Sequence, residues 1–292
     1  MKHTISSTLA TTTDRLTDYL RNPTNAQQEA SWLLAHILTC DITHLYAHPE
    51  QELSEQQYNA LEAALHDRIE KHKPLAYILG NTPFGNMYIY GVRPPILIPR
   101  PETEEMQAWL IEQIKEKAPD TPLSILDVCT GSGCIALSLA YELPHATIAG
   151  VDICKEAFAV AQENKERSGL TNVTFLQSDL FDAVKNQKFD IIISNPPYLS
   201  EQEWDELSED VKKWEAPHAL KADNSGLAIY QQIITQARRH LSGRYTDLPA
   251  LVLEIGYTQQ EAVTALLHDN RLTNVECHKD LSGKDRWLSA FI

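Results

Sequence analysis

The chain has 292 residues, a formal net charge of −15 and 43% hydrophobic residues. That length allows two domains with a sizeable core, while the acidity works against a nucleic-acid partner, because bulk electrostatics repels a phosphate backbone. No apolar run reaches the length of a membrane span. Met1-Lys-His-Thr-Ile-Ser has no apolar core after its charge, so no signal peptide is expected. Five cysteines, Cys40, Cys129, Cys134, Cys154 and Cys277, are scattered without a C-x-x-C pair. That pattern argues against a zinc site or a disulfide scaffold and suits a reducing cytoplasm.

Residues 1–73 read as a small helical bundle. Ala30, Leu33, Leu34, Ile37 and Leu38 follow a helical stripe, with Asn25 as the expected cap. Ser54 and Gln57 form a capping-box pattern ahead of a second stripe, Tyr58, Leu61, Leu65 and Ile69. Acidic side chains outnumber basic ones here, which disfavours a DNA-reading module. The histidines His3, His36, His44, His48, His66 and His72 show no metal-ligand spacing. The module reads either as a plain bundle or as a docking surface for a protein partner.

Residues 74–101 read as a hairpin-bearing linker. A β-rich piece, Met87-Tyr-Ile-Tyr90, precedes the proline-rich stretch Pro94-Pro-Ile-Leu-Ile-Pro-Arg-Pro-Glu-Thr-Glu104. Its prolines fix φ and leave few conformations. Arg100 and Glu102 on such a loop either line a cleft or pair with each other.

From residue 102 onward strands and helices alternate, predicting an α/β fold with a Rossmann-like sheet of about seven strands. Ser124–Cys129 is strand-like, Thr130-Gly-Ser-Gly133 turns the chain, and Cys134–Ala140 reads as a buried helix. Gly131 and Gly133 allow close approach of a ligand to the backbone, and the helix N-terminus behind them offers N–H groups. Thr147–Asp152 is a second strand, ending in an acid nineteen positions after Gly133. An acid there accepts ribose hydroxyls, or it caps the next helix. Val173–Leu176 is a third strand, and beyond it Asp179 and Leu180 suit an adenine amino group and ring. A helix over Tyr230–Leu241, a buried strand in Ala250–Gly256 and two final strands around Val275 and Trp287–Ile292 complete the pattern.

The most informative stretch is Phe189–Tyr198. Ile191-Ile-Ile193 has no polar alternation, as in a strand buried on both faces. Pro196 and Pro197 stop the strand, so Asn195-Pro-Pro-Tyr198 sits at its carboxyl end, where open α/β sheets hold ligands. The Asn195 side-chain carbonyl and the Pro196 carbonyl together match the two hydrogens of a planar NH₂ group, and Tyr198 offers a flat face to stack on it. The constellation fits an amide or an exocyclic amine; a proline-stiffened turn is the bland alternative.

Asp127-Val-Cys-Thr-Gly-Ser-Gly133, Val151-Asp152 and Ser194-Asn-Pro-Pro-Tyr198 resemble the class I S-adenosylmethionine-dependent methyltransferases. More narrowly, the chain resembles the HemK/PrmC family, the N(5)-glutamine methyltransferases of peptide-chain release factors. That similarity includes Pro74–Gly80, Leu97–Glu104, Leu253-Glu-Ile-Gly256 and Asp280–Arg286. It implies a catalytic domain over 102–292 and a substrate-docking role for the bundle at 1–73. It implies that S-adenosyl-L-methionine binds to Cys129, Thr130, Gly131, Ser132, Gly133, Asp152, Asp179, Leu180 and Asn195. Asn195, Pro196, Pro197 and Tyr198 then hold the substrate glutamine, with Asn195, Pro196 and Tyr198 catalytic. The implied substrate is the glutamine of the Gly-Gly-Gln loop of class I release factors. A cytoplasmic monomer is expected, without metal, membrane or nucleic-acid partner.

Three positions depart from the family pattern. Cys129 replaces the usual glycine, and because a Cβ is strained at positive φ, a negative φ is expected there. The usual Glu-Pro pair reads Glu215-Ala-Pro217, and Ser242–Pro249 replaces a Gly-Gly turn. Asn-Pro-Pro-Tyr by itself also occurs in adenine and cytosine amino methyltransferases. An adenine-specific nucleic-acid enzyme and a non-catalytic cofactor-binding module therefore remain as alternatives.

Overall fold

The computed structural model describes residues 3–292. The chain forms two compact units, one ending at Gly80 and one beginning at Asn81. The first contains α1 (Ile5–Leu20), α2 (Pro23–Leu38), α3 (Ile42–Ala47), α4 (Glu55–Ile69) and α5 (Leu75–Leu79). Its core gathers Ile5, Leu16, Leu33, Leu34, Leu61 and Leu65, all fully buried. Thr4 and Ser7 form a capping box on α1, and Ser54 and Gln57 form the expected one on α4. The cap of α2 is Asn22, not Asn25. Pro23 occupies the first helical position, where its missing N–H costs nothing, and Asn25 supplies the N–H that Asn22 accepts at 3.2 Å.

The second unit opens with a hairpin, β1 (Asn81–Phe84) and β2 (Met87–Tyr90), followed by α6 (Pro101–Lys117). The hairpin thus belongs to the second unit rather than to a separate linker. Then come β3 (Ser124–Val128), α7 (Cys134–Glu142), β4 (Thr147–Asp152), α8 (Lys155–Ser168), β5 (Val173–Gln177) and β6 (Ile191–Ser194). Three short helices follow: α9 (Glu201–Glu206), α10 (Glu209–Trp214) and α11 (Pro217–Leu220). The chain ends with α12 (Ala228–His240), β7 (Leu251–Glu254), α13 (Gln260–Asp269), β8 (Thr273–Lys279) and β9 (Asp285–Phe291).

Seven strands form one sheet in the order β5-β4-β3-β6-β7-β9-β8. Neighbours from β5 through β7 are parallel, and β9 runs antiparallel between β7 and β8. Central strands must be apolar on both faces when helices cover them. β6 and β7 meet that requirement, with every residue buried. The chain leaves β3 toward β4 on one side and returns to β6 on the other. The carboxyl ends of β3 and β6 therefore flank the switch point of the sheet, where a crevice opens.

Candidate active site

The turn leaving β3 carries three residues at positive φ: Cys129 (61°), Gly131 (56°) and Gly133 (83°). The negative φ expected for Cys129 is thus incorrect. The chain must swing from strand to helix within a few residues. Three hydrogen bonds pin that path: Thr130 N–H to the Val151 carbonyl (3.0 Å), Gly131 N–H to Asp152 Oδ2 (2.8 Å) and Gly133 N–H to the Thr130 carbonyl (2.9 Å). They outweigh a left-handed penalty of roughly 1–2 kcal/mol for a residue with a Cβ. Gly133 has a second constraint, since a Cβ there would lie 2.8 Å from the Phe175 ring.

Asp152 ends β4. Both its carboxylate oxygens are already engaged, Oδ2 with Gly131 N–H and Oδ1 with Cys154 N–H, each at 2.8 Å. It does not cap α8, whose cap is Cys154. Each oxygen keeps a second lone pair, Asp152 lines the crevice, and burial pushes its carboxyl above the usual range. Cys129, Gly131, Asp152, Asp179, Leu180 and Asn195 line one continuous cleft of about 190 Å³. Thr130 and Ser132 are buried and do not line it. The Thr130 hydroxyl donates to Asp127 Oδ2, and the Ser132 carbonyl accepts from Asn164 Nδ2. Thr130, Ser132 and Gly133 therefore shape the turn from behind. Asp127 is fully buried, its Oδ1 has no partner among the described residues, and burial lifts its carboxyl to about 7.

Asn195 stands just past β6 and also borders a second, much smaller pocket of about 20 Å³. Pro196, Pro197, Tyr198, Arg100 and Glu254 line that pocket, and Asn195, Pro197, Leu97 and Ala219 line both. Asn195 Nδ2 donates to Thr103 Oγ1 at 2.9 Å, and Thr103 Oγ1 donates to Glu254 Oε2 at 2.6 Å. The Asn195 side-chain carbonyl and the Pro196 carbonyl accept no hydrogen bond from the described residues. The Tyr198 hydroxyl lies 3.4 Å from Glu254 Oε1, and burial pushes its pKa up. Arg100 does line the pocket, but its acidic partner is Glu215, whose two oxygens lie 2.6 Å from Nη2. Glu102 lines neither space.

A cleft that shares Asn195, Pro197, Leu97 and Ala219 with a small adjoining pocket suits transfer between two ligands. Comparison with known proteins gives the chemistry. The PrmC N-terminal domain family matches residues 9–80, and the Methyltransferase small domain family matches residues 105–223. The release factor glutamine methyltransferase of Lactococcus lactis subsp. lactis (strain IL1403) is 40% identical over 240 residues, covering 82% of this chain and 84% of its own. The chain belongs to the release factor glutamine methyltransferase family. The family's protein from Salmonella typhimurium (strain LT2) is 37% identical over 267 residues, 91% of this chain and 92% of its own. The hMettl16 catalytic domain, solved with MAT2A 3'UTR hairpin 6, aligns with a TM-score of 0.52 at 14% identity, over 83% of this chain and 84% of that one. At that identity the likeness concerns the fold.

The methyltransferase uses S-adenosyl-L-methionine, and the cleft fits it. Asp152 and Asp179 bring carboxylates to this cleft, which could meet a ribose diol and an exocyclic amine, and Ile96, Leu180 and Ile229 add apolar walls. The proline loop at Pro95–Leu97 and His218-Ala219 also line this cleft; sequence reasoning did not assign them to it. The signal for the first was the density of prolines beside apolar residues. Helix α11 gave none. Thr103 and Glu254 were also missed, although both lie in segments that carry the family resemblance.

Proposed function

We propose that this methyltransferase modifies the side-chain amide nitrogen of the glutamine in the Gly-Gly-Gln motif of class I peptide-chain release factors, acting as a monomer in the cytoplasm. The observation that carries this reading is the pair of uncommitted acceptors on adjacent residues, Asn195 Oδ1 and the Pro196 carbonyl: both residues line the small pocket, and Asn195 also lines the cleft.

When bound, S-adenosyl-L-methionine supplies a methyl group on a positively charged sulfur. An amide nitrogen is a weak nucleophile because its lone pair is delocalised into the carbonyl. Two acceptors holding its two N–H bonds fix the direction of that lone pair, which is a positioning effect. As positive charge grows on nitrogen, the same two carbonyl dipoles stabilise it in a site partly removed from water. Tyr198 gives the planar amide a surface to lie against. The methylated nitrogen is strongly acidic until it loses a proton, so no strong base is needed beforehand. Cys129, Gly131, Asp152, Asp179 and Leu180 bind the cofactor in this reading, and Thr130, Ser132 and Gly133 hold the turn that presents it. Residues 1–80 dock the protein substrate.

The net charge of −15 supports a protein substrate over a nucleic acid. The test is transfer of labelled methyl groups to an intact release factor, to the same factor with Gln→Glu in its Gly-Gly-Gln motif, and to duplex DNA. Label is expected in the first alone. Label in DNA, or equal label in both factors, overturns the reading. Removing residues 1–80 is expected to reduce labelling of the intact factor by at least roughly tenfold while cofactor affinity persists; an unchanged rate removes the docking role.

A further inference from the structure

The amide of Asn195 has two orientations of nearly equal shape, and they offer the pocket opposite chemistry. With the oxygen inward it accepts an N–H; with the NH₂ inward it donates. What selects between them lies behind the residue. Thr103 sits in the first turn of α6, fully enclosed, 92 positions from Asn195 in sequence and 151 from Glu254. Its hydroxyl has one proton. Glu254 Oε2 lies 2.6 Å away, and an ionised carboxylate only accepts, so the proton points to Glu254. The Thr103 oxygen then has only lone pairs left for Asn195. At 2.9 Å it is satisfied by Nδ2 and not by Oδ1. The carboxylate thus polarises a one-way chain, amide to hydroxyl to carboxylate, whose far end is the Asn195 oxygen in the pocket.

We propose that Thr103 and Glu254 are positioning residues that lock the Asn195 amide with its oxygen toward the substrate, making the pocket selective for a side-chain amide over a carboxylate. The inference rests on the functional reading above. Locked this way, Asn195 and the Pro196 carbonyl present two acceptor oxygens, and a glutamate would bring its own oxygens against both. Unlocked, the asparagine can turn and donate to a carboxylate, and discrimination falls.

The groups facing Glu254 bear on its protonation. Arg286 from β9 and the nearby Tyr198 hydroxyl favour the ionised form, Glu102 from α6 disfavours it, and Arg100 lines the same pocket. Burial dominates and lifts the carboxyl to about 7. A protonated Glu254 can donate to Thr103, whose hydroxyl then turns toward Asn195 and calls for Oδ1 instead of Nδ2. Acid therefore reverses the chain.

The test uses the full-length chain. Thr103→Val keeps the shape and removes the hydroxyl; Thr103→Ser restores it. For Thr103→Val, kcat with the intact release factor is expected to fall by roughly 10- to 100-fold, with cofactor affinity held within about threefold. The wild-type preference for binding the Gln over the Glu form of the factor is expected to be at least about tenfold and to collapse toward unity in Thr103→Val. Thr103→Ser is expected to recover most of both. Glu254→Gln is the second probe: wild-type kcat falls on the acid side of pH 7, and that limb disappears in the variant. Unmoved kcat and preference in Thr103→Val, or identical pH profiles for wild type and Glu254→Gln, overturn the positioning role. No transfer by the wild type to the factor at all refutes the functional reading instead.

Discussion

Replacing Asp152 by asparagine changes one atom and should cost far more than an isosteric swap suggests. The carboxylate receives two backbone N–H groups, Gly131 on one oxygen and Cys154 on the other, both at 2.8 Å. Asparagine has a single acceptor oxygen. Whichever way it turns, its NH₂ meets one of those N–H groups donor to donor. One charge-assisted bond of roughly 1.5–3 kcal/mol is lost and the other drops to the neutral scale of about 1 kcal/mol. The sum is roughly 2–5 kcal/mol, lost from the order of the turn that carries Gly131 into the cleft. If that order is required for cofactor binding, affinity falls by roughly 30- to 4,000-fold, at about 1.4 kcal/mol per factor of ten. Calorimetric titration of S-adenosyl-L-methionine into wild type, Asp152→Asn and Asp152→Ala measures it. Repeating the titration with an analogue lacking the ribose 2′-hydroxyl separates two roles. If Asp152 also holds the ribose, the losses from variant and analogue are not additive. Affinity within threefold of wild type for Asp152→Asn would refute the reasoning outright.

Gly226→Ala should impair turnover more than cofactor binding. Its φ is +81°, and a Cβ would lie 2.0 Å from the Tyr198 carbonyl, which Gln259 Nε2 holds at 2.9 Å. We expect a stability loss of roughly 1–3 kcal/mol, seen as a lower Tm, with reduced kcat; unchanged values for both would contradict the packing described. Asp127 predicts a pH effect on stability. Its native carboxyl is raised from the ordinary 3.8 to about 7, so between those values the native state binds more protons than the unfolded chain. Its contribution to stability therefore falls as pH rises through that window. Urea unfolding of wild type and Asp127→Asn at pH 5 and pH 8 should show the difference shifting toward the variant by a few kcal/mol at the higher pH; equal differences would show that Asp127 titrates normally.

The parts of this structure that were legible in the sequence depend on local physics. Ile191-Ile-Ile193 lacks alternation because both faces of β6 are covered, and that was visible as three consecutive β-branched residues. Thr147–Asp152 matches β4 end to end, an apolar run closed by a polar residue at the sheet edge of the cleft. What escaped has its cause elsewhere in the chain. Arg100 pairs with Glu215, 115 positions away in the sequence, a partner that local spacing does not indicate. The partnership of Thr103 with Glu254 spans 151 positions, and no spacing rule reaches that far. Cys129 adopts a left-handed backbone because of hydrogen bonds made by its neighbours, an outcome that its own side chain opposes. The three helices α9, α10 and α11 bury no residue, so they gave no apolar stripe to detect.

Those three short helices have a kinetic consequence. His218 and Ala219 of α11 wall the cofactor cleft, and Ala219 with Leu220 walls the small pocket. Glu215, just ahead of α11, is pinned to Arg100 on the proline loop, which itself contributes Leu97 to both spaces. One segment is therefore a shared wall of two compartments, fastened at an ionic contact. Displacing it to release a methylated side chain would loosen the cofactor cleft in the same motion. The two exchange events would then be coupled, and the lifetime of the Arg100–Glu215 contact would set a common clock for both.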